Sequence, residues 1–341
     1  MMDPLKKIRS MTTGIGIYQH GKLNEPNPEF GYAVEDQARA LIVANEFKDE
    51  NLKGIYLNFI MKAKREDGLL HHFYYENNSK GLFKDGLFKN EEYNSKINIK
   101  EAYGITLWSL LATKNDQNDN IQKIIKNLIK DAHNWTSPRA ISAALLGLSN
   151  LDWQCSLEKE LKVKLHNYYF ETHSDNWEWF ENYLVYANAL IPWALWEIYL
   201  KRKCKTSFEI AKKTTEFLIN NCRENNIASP IGNKGWYTRG SNKALFDQQP
   251  IDPGYMVCCL EKAYCATKDN IYLSWAEKWY KWFWGNNING TSLIDENLAC
   301  YDALTPEGVN LNQGAESNIC FLMAHLAAKR LGLDPVVSKV T

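Results

Sequence analysis

Phe246-Asp247-Gln248-Gln249-Pro250-Ile251-Asp252-Pro253 brings two carboxylates and two primary amides together just before a long apolar pattern that begins at Tyr255. Proline is excluded from a helix interior but fits its first turn. Asp247 to Gln249 therefore read as the end of a loop, and Asp252 or Pro253 as the start of a helix. The positive end of the helix dipole favours carboxylates there. Acceptors and donors clustered at a helix mouth, with aromatics on both sides, suit a polyhydroxylated ligand.

The same arrangement recurs outward from this stretch. Helical spacing begins after Tyr32, with Val34, Ala38, Leu41 and Ile42 on one stripe and Glu35, Asp36, Gln37 and Arg39 at its start. Further helices are expected near residues 52–64, 99–113, 118–132, 157–172, 181–200, 208–222, 271–283 and 315–331, with others opening at Ser137-Pro138-Arg139 and at Asp252. Residues 1–31 read as loop. Asp67-Gly68 and Asp85-Gly86 read as tight turns, so a hairpin is expected between residues 65 and 98.

The helices starting near residues 36, 101, 137, 181, 252 and 316 follow the longer, more polar loops. Their partners open on ordinary charged sequence. Helices joined by short turns lie antiparallel, which makes the chain a series of hairpins. The last has no clear partner. Six pairs of unlike sequence favour a closed all-α ring, one domain over residues 1–341, over an open superhelical stack. A two-domain bundle is the alternative. In the ring the polar first turns converge at one end of a central cavity.

Charge is balanced, 40 basic against 40 acidic residues, so neither nucleic acid nor an anionic membrane is an expected partner. The eight cysteines contain no C-x-x-C pair, and several lie on apolar helix patterns as reduced core thiols do. No leader-like apolar segment and no membrane-length run appears, which leads to the expectation of a cytoplasmic protein.

Convergent carboxylates match glycoside cleavage, in which two carboxyl groups face each other across the bond. The candidates are Asp36, Glu101, Glu181, Asp247, Asp252 and Glu316. Each is also an ordinary capping position, and Asp252 is the better capping residue while Asp247 is the better functional one. Glu316 follows Asn310, Asn312 and Gln313, amides suited to hold hydroxyls or a water. In Asp175-Asn176-Trp177-Glu178-Trp179, the indoles of Trp177 and Trp179 can either stack on sugar faces or pack in the core. Trp236, Tyr237 and Arg239 lie in a glycine-flanked loop at the same end. Histidines are scattered, and no H-E-x-x-H, G-x-S-x-G or phosphate loop is present; no metal or organic cofactor is expected.

Gly31-Tyr32-Ala33-Val34-Glu35-Asp36-Gln37-Ala38-Arg39, Ser137-Pro138-Arg139, Trp179-Phe180-Glu181-Asn182-Tyr183, Phe246-Asp247-Gln248-Gln249-Pro250 and Asn312-Gln313-Gly314-Ala315-Glu316-Ser317 resemble the (α/α)6-toroid domains of carbohydrate metabolism. More narrowly, they resemble a bacterial group found fused to or encoded beside glycosyltransferases. Two family motifs are altered here, to Tyr186-Ala187-Asn188-Ala189-Leu190 and Glu101-Ala102-Tyr103-Gly104-Ile105. The resemblance implies a glycoside hydrolase acting on an oligosaccharide, mannose-containing, with inversion, and a glycosyltransferase as partner. In that reading Asp247 or Asp36 is the acid and Glu316 the base, with Glu181 beside them. Arg39, Glu101, Trp177, Trp179, Tyr183, Asn188, Trp236, Tyr237, Arg239, Gln248, Gln249, Asn312 and Gln313 would hold the sugar. A sugar epimerase or isomerase, which needs a histidine base in the cavity, and a non-catalytic glycan-binding or scaffold module are the alternatives.

Overall fold

Six helices buried on nearly every face form the inside of a ring. In the computed structural model, which describes residues 3–77, 80–84, 99–113 and 118–333, they are α2 (Val34–Glu46), α4 (Ile99–Ala112), α6 (Pro138–Leu148), α8 (Leu190–Arg202), α10 (Ile251–Thr267) and α12 (Ala315–Arg330). Each packs on the next, and α12 returns to α2, which closes the ring. Outside it lie α3 (Glu50–Lys62), α5 (Asp119–Ala132), α7 (Ser156–Thr172), α9 (Lys205–Asn221) and α11 (Asn270–Trp282), each packed on the inner helix before it. The sixth outer place belongs to α1 (Lys6–Met11), which packs on α12. The partner missing from the end of the sequence thus comes from its beginning, in a segment expected to be loop.

Local chemistry sets the starts. Ser137 Oγ accepts from the Ala140 N–H at 3.3 Å, with Pro138 at the first helical position. Asp49 and Asp269 cap α3 and α11 in the same way, at 3.0 Å and 2.9 Å. Outer helices are amphipathic: α5 buries Ile121, Ile124, Ile125 and Leu128, the spacing of one helical face. Inner helices are enclosed by their neighbours and the outer ring, so they bury residues on most faces. The small residues of α6 let it approach α4 closely, and a Cβ at Gly104 would stand 2.5 Å from the Ala140 carbonyl oxygen. One continuous apolar core runs between the rings.

One helix start needs correction, while the hairpin expected between residues 65 and 98 is present as paired strands over Phe73–Asn77 and Lys80–Lys84. The helix expected from Glu181 begins at Leu190, because the intervening segment pairs elsewhere: β4 (Tyr183–Leu184) forms a ladder with β5 (Tyr237–Thr238). Short strands also recur at the ring's N-terminal end. β1 (Tyr32–Ala33), β2 (Phe73–Asn77) and β3 (Lys80–Lys84) form an antiparallel sheet, and β6 (Ala303–Thr305) pairs with β7 (Gly308–Asn310). Asp67-Gly68 makes its turn, with Gly68 at φ +83° and its N–H on the Arg65 carbonyl at 3.1 Å. Asp85-Gly86 lies outside the described residues.

Candidate active site

The first turn of α2 carries Glu35 and Asp36, and Arg39 lies one turn on. Glu316 stands in the first turn of α12, which packs beside it. Arg39 Nη1 lies 3.1 Å from Asp36 Oδ1 and 3.1 Å from Glu316 Oε2. Its Nη2 is 3.8 Å from Glu35 Oε2, and its Nε donates to Tyr255 Oη at 3.2 Å. Three acids thus share one guanidinium, which presents its donors in a fixed fork.

Asp36 and Arg39 are buried. Burial pushes the Asp36 carboxyl well above the usual range, Arg39 opposes it, and Glu35 and Glu316 push it further up. Burial likewise raises Glu316, against the pull of Arg39 and with help from Glu35 and Asp302. Glu316 is surrounded by protein, yet its side chain keeps 38% of its surface open to solvent. Glu316 is thus reached by solvent at the N-terminal end of the ring.

A second arginine organises a second group of acids. Arg139 Nη1 is 2.9 Å from Glu181 Oε2, its Nη2 donates to Asn188 Oδ1 at 3.2 Å, and its Nε donates to the Tyr186 carbonyl at 2.8 Å. The Tyr186 ring centroid lies 5.2 Å from the guanidinium. Tyr186 Oη donates to Glu101 Oε2 at 2.6 Å, and Ser137 Oγ donates to Oε1 at 2.7 Å. Burial and Glu101 together raise the Tyr186 phenol. Tyr183 is 43% exposed, and burial together with the charge of Glu181 raises its phenol. The two arginine centres lie within electrostatic reach, since Tyr186 feels Glu35 and Asp252 feels both Arg139 and Glu316.

Asp252 is buried in the first turn of α10, where the nearby backbone N–H groups of Asn188 and Ala187 favour its charge. Burial pushes it up to about 8. Its Oδ2 has no hydrogen-bond partner among the described residues, and neither has Trp279 Nε1. Both residues line a void of about 10 Å³ between the rings, close to the smallest space that holds a water.

Other expected site residues are placed differently. Asp247 Oδ1 lies 3.2 Å from Lys234 Nζ, an ion pair without hydrogen-bond alignment. Gln248 is buried: it donates to Ser229 Oγ at 3.0 Å and accepts from Trp282 Nε1 at 2.9 Å, so its amide holds the loop to α11. Gln249 is half-buried ahead of α10. Trp177 and Trp179 are core residues, 3% and 0% exposed. Trp177 packs against Phe217 and Tyr237 and donates to the Glu181 carbonyl at 2.7 Å, while Trp179 stacks on Phe217. Neither indole offers a face to a ligand. Arg239 is exposed and donates to the Thr172 carbonyl at 3.1 Å. Asn312 accepts from the Leu23 N–H at 2.8 Å, and Gln313, buried, donates to Asp295 Oδ2 at 2.8 Å. Trp236 is half-buried, 6.1 Å from the Tyr186 ring.

Sequence reasoning passed over Asp302, whose Oδ1 accepts from the Gly314 N–H and Ser317 Oγ, both at 2.7 Å, at the start of the Glu316 helix. His20 is half-buried in the field of Asp302, with burial lowering its pKa. Loop residues without a local motif gave no signal for either. Among the described residues no group of three His, Cys, Asp or Glu is placed to hold a metal ion.

The ring of six inner and six outer helices is the (α/α)6 toroid. No protein-family model matches the chain, and no curated protein matches it in sequence. Solved structures do match in fold. Cellobiose 2-epimerase from Bacillus thermoamylovorans aligns with TM-score 0.69 at 10% identity, over 94% of this chain and 95% of that one. A D-mannose isomerase aligns with TM-score 0.67 at 10% identity, over 96% and 95%. The GH76 α-mannanase of Bacteroides thetaiotaomicron aligns with TM-score 0.65 at 11% identity, over 97% and 95%. Among the described residues no helix is long and apolar enough to cross a membrane.

Proposed function

We propose that the chain is a glycoside hydrolase that cleaves a mannose-containing oligosaccharide at the N-terminal end of the ring, with Glu316 as the proton donor to the leaving oxygen. The observation that carries this reading is the state of Glu316, which is wet, crowded, raised in pKa and fixed by Arg39. A carboxyl that keeps its proton as pH rises is the acid a glycosidic oxygen requires. Glu181, oriented by Arg139, is the carboxylate that activates water. Asp36, buried beside Arg39, positions the guanidinium. Tyr183, Tyr186 and Trp236 offer the open ring faces on which sugars stack, and Asp247 and Gln249 stand at the mouth of α10 as contacts. The toroid likeness to an α-mannanase supports the substrate class.

The test is release of sugar from α- and β-linked oligosaccharides, with the first-formed anomer read by NMR; direct attack by water gives inversion. Glu316→Gln should lower kcat roughly 1000-fold, the order expected for losing a general acid, and leave KM within a few-fold. Unchanged turnover in Glu316→Gln would refute the assignment. Binding without cleavage in the unmodified protein would instead indicate a glycan-binding module, the role expected beside a glycosyltransferase.

One observation favours a second reading. His20, whose pKa burial lowers against the opposing charge of Asp302, is a side chain of the kind that sugar epimerisation or isomerisation needs as a base. The same NMR assay reports that reaction as an epimer or ketose formed without release of a second sugar.

A further inference from the structure

Glu316 stands in the first turn of a helix that brings no side-chain cap of its own. The residue ahead of α12 is Gly314, which has no side chain to offer the open N–H groups. Asp302, next to the start of β6, supplies what is missing. Its Oδ1 accepts from the Gly314 N–H and from Ser317 Oγ, both at 2.7 Å, on either side of Glu316 in the chain. Its own N–H donates to the Asn312 carbonyl at 2.9 Å, and the Gln19 carbonyl takes the Ala315 N–H at 3.0 Å. The carboxylate comes close: a Cβ at Gly314 would stand 3.1 Å from Asp302 Oδ1 and 3.4 Å from Oδ2.

We propose that Asp302 is the positioning residue of Glu316, anchoring the turn that carries the acid and holding a further negative charge near it. The inference rests on the reading of Glu316 as proton donor.

The charges around Glu316 show what that carboxylate adds. Glu35, Asp36 and Arg39 face Glu316 from α2, and Asp252 and Tyr255 face it from α10. α11 meets α12 further along, where Tyr280 Oη and His325 Nδ1 are 2.9 Å apart. Arg39 pulls Glu316 toward ionisation, and Glu35 and Asp302 oppose it. Lys7 of α1 and His20 lie in the field of Asp302, but Asp302 forms no ion pair among the described residues. Its charge therefore acts on Glu316 without a bound counter-cation. A like charge close by disfavours the ionised carboxylate, which keeps the proton on a group that has to donate it.

The full chain, 13C-labelled at the glutamate side-chain carboxyls, would be titrated by NMR, with the Glu316 signal identified by its loss in Glu316→Gln. Asp302→Asn keeps an acceptor for Gly314 and Ser317 and removes the charge, so the Glu316 midpoint should move to lower pH. Asp302→Ala removes both; it should lower the midpoint and also speed hydrogen exchange at the Gly314 amide. A merely structural Asp302 would leave the Glu316 midpoint of Asp302→Asn where it is in the unmodified protein, and that result overturns the proposal. So does an unchanged Gly314 exchange rate in Asp302→Ala. Both readouts are free of turnover. In kinetics, the alkaline limb of kcat/KM should move to lower pH in Asp302→Asn. A lowered midpoint with an unmoved limb would fault the proton-donor reading and leave the anchoring role standing.

Discussion

Arg39 and Glu316 are 277 positions apart in the chain, and the guanidinium of one meets the carboxylate of the other at 3.1 Å. That contact joins the first inner helix to the last. It closes the ring at the point where the candidate chemistry is concentrated.

Removing Arg39 should therefore act on stability before anything else. Arg39→Leu leaves Asp36 buried without its counter-charge, a change that costs about 3–5 kcal/mol in comparable buried pairs. Urea denaturation should show that loss, and Arg39→Leu combined with Asp36→Asn should regain a large part of it. A double variant no more stable than the single one would contradict the pairing.

Asp252 predicts a pH dependence of defined sign. Its folded pKa, about 8, lies above the unfolded value, so the folded state binds the proton more tightly. The contribution to stability is complete below pH 4 and is lost as pH rises toward 8. Asp252→Asn should then be more stable than the unmodified protein near pH 7, by on the order of 4 kcal/mol, and the gain should vanish near pH 4. A difference independent of pH would remove the claim.

Tyr186 separates ring from hydroxyl. Tyr186→Phe deletes the hydrogen bond to Glu101, worth roughly 1 kcal/mol at a site 36% exposed, and should leave KM within about threefold. Tyr186→Ala deletes the stacking face as well and should raise KM about tenfold. Steady-state kinetics and thermal melts distinguish the two effects.

Trp179 and Tyr186 should behave in opposite ways. Trp179→Ala opens a cavity in the core and should cost about 3–5 kcal/mol, with KM unchanged in the folded fraction. A selective KM effect would mean the indole reaches the ligand.

Helix existence was legible where a local rule governed it. Ser137-Pro138, Asn118 and Asp269 cap the helices expected there, and α5 follows its apolar spacing. The nine-residue error at α8 arose because Glu181 resembles a first-turn acid. Its segment instead finds hydrogen-bond partners in Tyr237-Thr238, far along the chain, and turns through Ala187 at φ +52°. The aromatic run misled for a related reason. An indole reads the same in sequence whether its face is open or covered, and Phe217 of α9 covers Trp179.

Composition, periodicity and capping residues determined that this chain is a ring of helical hairpins, because those signals act within a few residues and repeat in every hairpin. They also marked Asp36, Glu181 and Glu316, which lie at ring-end positions. Only the tertiary structure decided which acids share a partner. A carboxylate's role depends on its distance to a particular cation and on how much water reaches it, and both depend on residues from opposite ends of the sequence. Arg39 and Arg139 sort the acids into two groups, while Asp252 turns into the core and Asp247 pairs with Lys234.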